Sequence, residues 1–216
     1  MLTLLLAAIV TIAVPQAAGD LTATPHSDAP AAPLAPAVLE RLAPGGVRAT
    51  ANRVGLTFWW VKDLPLKSGG SSAAWTDVDE GALVGAVKVE RDVRDIRGKI
   101  VKSGVYTLRY GIQPANGDHL GVSPFRDFIL LSPAAIDKDP AAHGHDGTVD
   151  LSKETIGGSH PAVWSIDPPV ATEAPLTIHT TELGHKALIV EVPVTRDGKP
   201  AGALRFGLVL IGRIEA

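Results

Sequence analysis

The 216-residue chain contains no cysteine, and this absence excludes several kinds of site. Without a thiol there is no disulfide, no cysteine nucleophile and no lipid-modified cysteine. Aromatic residues make up only 5% of the sequence, and the formal net charge is −3, with no basic stripe. This acidic balance disfavours nucleic-acid binding. Any chemistry must therefore come from the histidines and the carboxylates.

One long apolar run is present, at residues 2–14, and the small residues Ala17 and Gly19 follow it. The pattern is typical of a secretory signal peptide over residues 1–19, cleaved before Asp20. A membrane-spanning helix needs about 20 apolar residues, so we expect no membrane span after cleavage, with a retained anchor as the alternative. The expected location is periplasmic or extracellular, and the lack of cysteine favours a bacterial source.

The remaining chain divides into a linker and one domain. Residues 20–36 are rich in proline and alanine, which predicts an extended linker. Residues 37–216 show no internal repeat and no second composition block, so they are expected to form a single domain.

Apolar residues of this domain alternate with polar ones, which is the period of β-strands. The clearest alternations involve Leu56, Phe58 and Trp60; Tyr106, Leu108, Tyr110 and Ile112; Leu188, Val190, Val192 and Val194; and Leu204, Phe206, Leu208 and Leu210. Only residues 150–157 have helix signals, with Ser152 as a candidate cap. We therefore expect an all-β fold, an antiparallel β-sandwich of jelly-roll or immunoglobulin-like type, with one short helix.

A polar loop between two predicted strands is the first candidate ligand site. It places Asp118, His119, Arg126 and Asp127 within ten residues. An imidazole beside a carboxylate suits a general base or a metal ligand, and an arginine can bind a carboxylate or phosphate through two hydrogen bonds. The alternative is structural, since Asp118 can cap its own turn and Arg126 and Asp127 can form an ordinary surface ion pair.

The same stretch, residues 103–132, carries the segments YTLRY, QP, GDH and RDF. It resembles a family of uncharacterised exported proteins from environmental bacteria. Residues 104–108 are also similar to secreted β-rich domains that carry a Gly-x-Tyr-x-Leu strand. The resemblance implies an exported β-sandwich and assigns no catalytic residue.

His143 and His145 form an H-x-H pair, which in an extended segment would point both imidazoles to one side. Such nitrogen ligands suit Zn²⁺ or Cu²⁺, with Asp146, Asp150 or His160 completing the coordination. The surrounding sequence, DKDPAAHGHDG, is typical of a flexible loop that holds its side chains poorly. We therefore expect no cofactor, with a zinc or copper ion at this pair as the alternative.

Trp75 is the third candidate, because it lies close to the carboxylates Asp77, Asp79 and Glu80. An exposed tryptophan near carboxylates is typical of a glycan-binding surface. An acidic group in a Gly/Ser-rich segment is also common in a solvated turn, so both interpretations stay open.

The sequence contains no G-x-S-x-G and no H-E-x-x-H motif, so no established hydrolase signature is present. We expect a non-catalytic exported binding or structural module whose partner is a small molecule, a glycan or a protein. A histidine-based metal-binding protein or metal-assisted enzyme is the first alternative. A carbohydrate-binding module is the second.

Overall fold

The computed structural model describes residues 20–30, 33–114, 125–168 and 174–212. These ranges contain thirteen strands, two α-helices and one short 3₁₀ helix. None of their helices is long and apolar enough to cross a membrane. Because strands make up most of the regular structure in these ranges, the predicted all-β class is confirmed.

The strands are β1 (Thr22–His26), β2 (Gly46–Ala51), β3 (Val54–Trp60), β4 (Leu64–Leu66), β5 (Leu83–Val89), β6 (Val93–Arg94), β7 (Ile100–Val101), β8 (Gly104–Ile112), β9 (Asp127–Pro133), β10 (Ala162–Asp167), β11 (Ile178–Thr180), β12 (Lys186–Arg196) and β13 (Lys199–Ile211). The helices are α1 (Pro36–Arg41) and α2 (Gly144–Ile156), and the 3₁₀ helix is Trp75–Asp77.

Eleven of these strands form one sheet that curls on itself. Ten lie in the antiparallel order β1-β2-β3-β5-β8-β9-β10-β13-β12-β11, and β4 pairs in parallel with β12. Strand β10 joins the two halves, because its first part pairs with β9 and its last two residues, Ile166 and Asp167, pair with β13. Strands β6 and β7 form a separate hairpin.

Aromatic side chains from the two halves of the sheet meet in the core. The ring of Phe58 on β3 lies 5.8 Å from that of Trp164 on β10, and Trp60 contacts Phe206 on β13 at 6.0 Å. Because strand side chains alternate between faces, the alternating residues of β3 and β13 point inward together. The alternation in the sequence thus identified the core correctly.

The opposite face of β9, β10, β12 and β13 carries a second, smaller apolar cluster. It contains Ile96, Phe128, Leu130, Ala187 and Val209. Helix α2 packs against this outer face, and its Val149 contacts the cluster. The outer layer over the sheet therefore consists of α2 and the turn between β6 and β7 that carries Ile96, and it covers only part of the face.

The predicted helix at residues 150–157 is longer in the structure and is not the only one. Helix α2 begins at Gly144, inside the segment expected to be a flexible loop, and ends at Ile156, with Gly157 as its C-cap at φ 63°. Gly144 and Gly147 lower helix propensity, so the first turns carried no helix signal. Ser152 is not a cap but lies inside the helix, and its hydroxyl donates to Leu131 O at 2.7 Å.

Part of the segment predicted as a linker, residues 20–36, belongs to the domain. Strand β1 pairs with β2 along its whole length, and helix α1 begins at Pro36. Leu21 and Leu34 are buried, with 7% and 4% of their surface exposed. The proline of β1, Pro25, is tolerated because an edge strand leaves some N–H positions unpaired. Proline and alanine content therefore concealed an edge strand that belongs to the domain.

Trp164 lies at the centre of this core with 1% of its surface exposed. We expect Trp164→Ala to lower the free energy of unfolding by about 3–5 kcal/mol, since it removes a large buried ring and leaves a cavity. Glu182→Ala, at an exposed position, is the control and should change it by less than about 0.5 kcal/mol. Urea denaturation followed by circular dichroism measures both, and equal losses would contradict this account of the core.

Candidate functional site

A buried ion pair between Arg109 and Asp137 lies on the outer side of β8. Neither side chain has any exposed surface. Arg109 Nε and Nη2 donate to the two carboxylate oxygens of Asp137 at 2.6 and 2.7 Å. This bidentate geometry fixes both the distance and the orientation of the two groups.

The other N–H groups of Arg109 donate to main-chain carbonyls. Nη1 reaches Gly81 O at 2.7 Å and Ala141 O at 2.8 Å, and Nη2 also donates to Asp139 O. All five guanidinium hydrogens therefore have acceptors, as a buried arginine requires. Together these bonds attach residues 137–141 and the turn at Gly81 to the sheet.

The turn before β5 holds the first turn of α2. Gly144 N–H donates to Glu80 O at 3.1 Å. Gly81 has φ +84°, and a Cβ there would lie 2.7 Å from the main-chain nitrogens of His143 and Gly144. Glycine is required at this position for both reasons, and it brings Glu80 beside the start of the helix.

Glu80 and His145 form a second carboxylate–imidazole contact on this turn. His145 Nδ1 lies 2.7 Å from Glu80 Oε1, which also accepts the N–H of Ile112 at 3.0 Å. An ionised carboxylate only accepts, so Nδ1 carries the proton. Nε2 has no hydrogen-bond partner among the described residues, so in the neutral ring it is an acceptor.

An open cleft of about 290 Å³ lies between α2 and the outer face of the sheet, and His145 and Glu80 line it. Its apolar lining comes from Ile112, Phe128, Leu130, Val149, Pro161 and Val163. Gly111 leaves room for this lining, because a Cβ there would lie 2.4 Å from Leu130 Cδ1. The volume is at the small end of the range for small-molecule sites.

Three basic side chains, Arg97, Lys153 and His160, line the same cleft near the C-terminal end of α2. Arg97 donates through Nη2 to Pro161 O, and Asp95 Oδ2 lies 3.5 Å from the same nitrogen. Lys153 Nζ donates to Asp150 Oδ1 at 2.8 Å, but Asp150 has 72% of its side chain exposed. Exposed pairs of this kind contribute about 1 kcal/mol at most, so Lys153 can exchange this partner for a ligand.

The residues expected in the polar loop have separate roles where the structure describes them. Arg126 donates through Nε and Nη2 to Gln113 O, and Asp127 accepts the Tyr110 hydroxyl at 2.6 Å. Burial, and then the bond to Asp127, raises the pKa of Tyr110 far above its usual value. Asp118 and His119 lie outside the described residues, so a shared site for these four groups stays a prediction.

Trp75 is not the exposed ring that the sequence suggested. It stacks on Tyr110 with 4.7 Å between ring centroids, and its edge meets Phe206 at 5.0 Å. The neighbouring Asp77 accepts Arg196 Nη2 at 2.8 Å. The short 3₁₀ helix turns the indole toward the core although its sequence neighbours are polar, and this removes the reason to expect sugar stacking there.

The H-x-H pair is not extended, which corrects the geometry expected for a metal site. His143 is the N-cap residue of α2 and His145 lies in its first turn, where residues two apart do not share a face. His143 Nε2 lies 3.4 Å from Asp137 Oδ1, whereas His145 contacts Glu80. Across the described ranges, no three His, Asp or Glu side chains are grouped so that they could hold a metal ion.

The sequence did not reveal the buried pair or the role of Arg97. Arg109 and Asp137 are 28 positions apart, and Asp137 belongs to a segment whose composition predicts a loop. One available signal was the charge of Arg109 in the middle of an otherwise apolar strand, since a charge buried there needs a partner.

Asp137→Asn should leave the Arg109 charge buried without its counter-ion. We expect the free energy of unfolding to fall by about 3–5 kcal/mol. The matched control is Asp63→Asn, which removes the partly exposed Arg41–Asp63 pair and should cost at most about 1 kcal/mol. Chemical denaturation measures both, and a similar loss in the two variants would refute the importance of the buried pair.

The carboxylate of Asp137 should also make the free energy of unfolding depend on pH. Burial raises the pKa of Asp137, but the hydrogen bonds and charge of Arg109, with Thr107 and His143, bring it below its ordinary value of 3.8. A folded-state pKa below the unfolded one means that the stabilisation is complete above pH 3.8 and is lost as the pH falls through the folded-state pKa. The difference in unfolding free energy between the wild type and Asp137→Asn, measured over a pH series, should therefore narrow in acid. A constant difference would show that Asp137 has no lowered pKa.

Comparison with known proteins assigns no family to the chain. No protein-family model matches it, and no curated protein and no solved structure matches it either. The resemblance of residues 103–132 to exported bacterial proteins therefore stays a prediction, and the site is argued from its geometry.

Proposed function

We propose that this protein is an exported, non-catalytic binding module whose ligand site is the cleft between α2 and the sheet. The observation that carries the proposal is an apolar floor with a few polar groups placed at its rim, in one concave site. Small-molecule sites have this composition, because apolar contacts supply affinity and the polar groups fix orientation. The ligand class is a small organic molecule with an apolar body.

The Glu80–His145 contact also has the arrangement of a general base in an enzyme, so His145 has two candidate roles, catalysis and binding. Enzymes that use such an imidazole for nucleophilic attack place a hydroxyl within hydrogen-bond distance of it. The hydroxyls of Thr148 and Ser152 on α2 are instead bonded to main-chain oxygens. Among the described residues no hydroxyl is bonded to His145, which favours a binding role.

Export is supported by the sequence of residues 1–19, and the fold suits a rigid carrier of a site. We infer that the curled sheet is a sandwich folded at β10, since aromatic side chains of its two halves face each other. The cleft floor belongs to β8, β9 and β10, whose hydrogen-bonded pairing keeps it in place. A fixed floor lowers the entropic cost of binding.

The anionic dye 1-anilinonaphthalene-8-sulfonate is a suitable probe of the cleft. We expect its addition to shift the backbone amide signals of α2 and of β8–β10 in a two-dimensional NMR spectrum. Val149→Phe should weaken this binding by about tenfold or more, because the larger side chain fills the space that the dye would occupy.

Glu154→Phe is the matched control, because it adds the same ring to an exposed position of α2. It should leave the dye affinity unchanged. Amide shifts confined to another part of the molecule, or equal weakening by both variants, would overturn the cleft as the binding site.

A further inference from the structure

The cleft has polar groups at both ends of α2 and apolar side chains between them. His145 lies in the first turn and Lys153 two turns later, so eight residues of helix separate them by about 12 Å. Val149 lies between them on the helix, and Phe128 and Val163 line the opposite wall. A ligand that uses the whole cleft is therefore elongated and apolar in its middle.

The end near Lys153 suits an anion. Arg97 has only 17% of its side chain exposed, and its Nη1 makes no hydrogen bond with any described residue. The facing carboxylate, Asp95, accepts the main-chain N–H groups of Arg97 and Lys99 through Oδ1, whereas its buried Oδ2 has no hydrogen-bond partner among the described residues. His160 adds two ring nitrogens at the same end. A ligand anion would supply the acceptor that Nη1 lacks and would replace Asp150 as the partner of Lys153.

The end near His145 suits a hydrogen-bond donor. Glu80 accepts the hydrogen bond from Nδ1–H, which leaves Nε2 as the acceptor. The negative charge of Glu80 also repels a second anion there. The two ends are therefore chemically different, and they give a ligand one preferred direction in the cleft.

We propose that the cleft selects an elongated amphiphilic anion, with its anionic group at Arg97 and Lys153, an apolar chain along Val149, and a hydroxyl donating to His145. This inference rests on the proposed binding function and adds the ligand class. Medium-chain hydroxy acids have this chemistry, because they carry a carboxylate at one end, an apolar chain and a hydroxyl at the other end.

Isothermal titration calorimetry with three related probes tests the class on the wild-type protein. Decanoate should bind about tenfold or more tightly than methyl decanoate, which has the same chain without the charge. The hydroxylated acid, 10-hydroxydecanoate, should bind about fivefold more tightly than decanoate, because its hydroxyl reaches His145.

Variants assign each effect to one end of the cleft. Arg97→Gln should remove most of the preference for decanoate over its ester, and Lys153→Gln should reduce the affinity for decanoate by about threefold. Lys199→Gln changes an exposed lysine on the β12–β13 hairpin and should have no effect. His145→Phe should abolish the advantage of the hydroxyl while keeping the preference for the carboxylate.

Failure of the proposed ligand class can be distinguished from failure of the proposed binding function. If the sulfonated dye binds in the cleft but decanoate and methyl decanoate bind equally, the ligand class is wrong and the binding function stands. If neither the dye nor any of the three chains binds to the cleft, the proposed function fails as well. Loss of the carboxylate preference in Lys199→Gln would also overturn the assignment, since it would place the anion elsewhere.

Discussion

The buried pair of Arg109 and Asp137 is the interaction on which the outer layer of this protein depends. The segment before α2 is polar and contributes little apolar surface, so packing alone does not hold it against the sheet. The guanidinium of Arg109 does so through five donors, two of them to Asp137 and three to main-chain carbonyls. Because a buried charge tolerates few alternative arrangements, residues 137–141 and the turn at Gly81 are fixed relative to each other.

The cleft follows from this arrangement. With the turn at Gly81 fixed, Glu80 lies next to the first turn of α2 and orients His145. Helix α2 then covers part of the outer apolar face of the sheet, and the uncovered part becomes the floor of the cleft. The two ends of the cleft thus differ chemically because different side chains lie at the start of helix α2 and near its C-terminal end.

The local sequence pattern predicted the strands that pack inward. It failed where a position at the sheet edge, or hydrogen bonds from distant residues, determine the structure. The alternation of apolar residues located β3, β8, β12 and β13, because each buries a face against the core. Strand β1 carries no such alternation, since it lies at the sheet edge, pairs only with β2, and has no buried residue among its five. The first turns of α2 contain two glycines and are held by Glu80 O and the pair at Arg109, so helix propensity did not reveal them.

The sequence by itself determined the all-β class, the inward-facing residues and the exclusion of thiol chemistry, because composition and a period of two act over neighbouring positions. It also named His145 and Glu80, but in separate hypotheses about a metal and an acidic turn. Only the tertiary structure decided that these two side chains meet, because they are 65 positions apart and their contact depends on how α2 is held. The same holds for Trp75, whose polar sequence neighbours give no sign of the aromatic rings that it packs against.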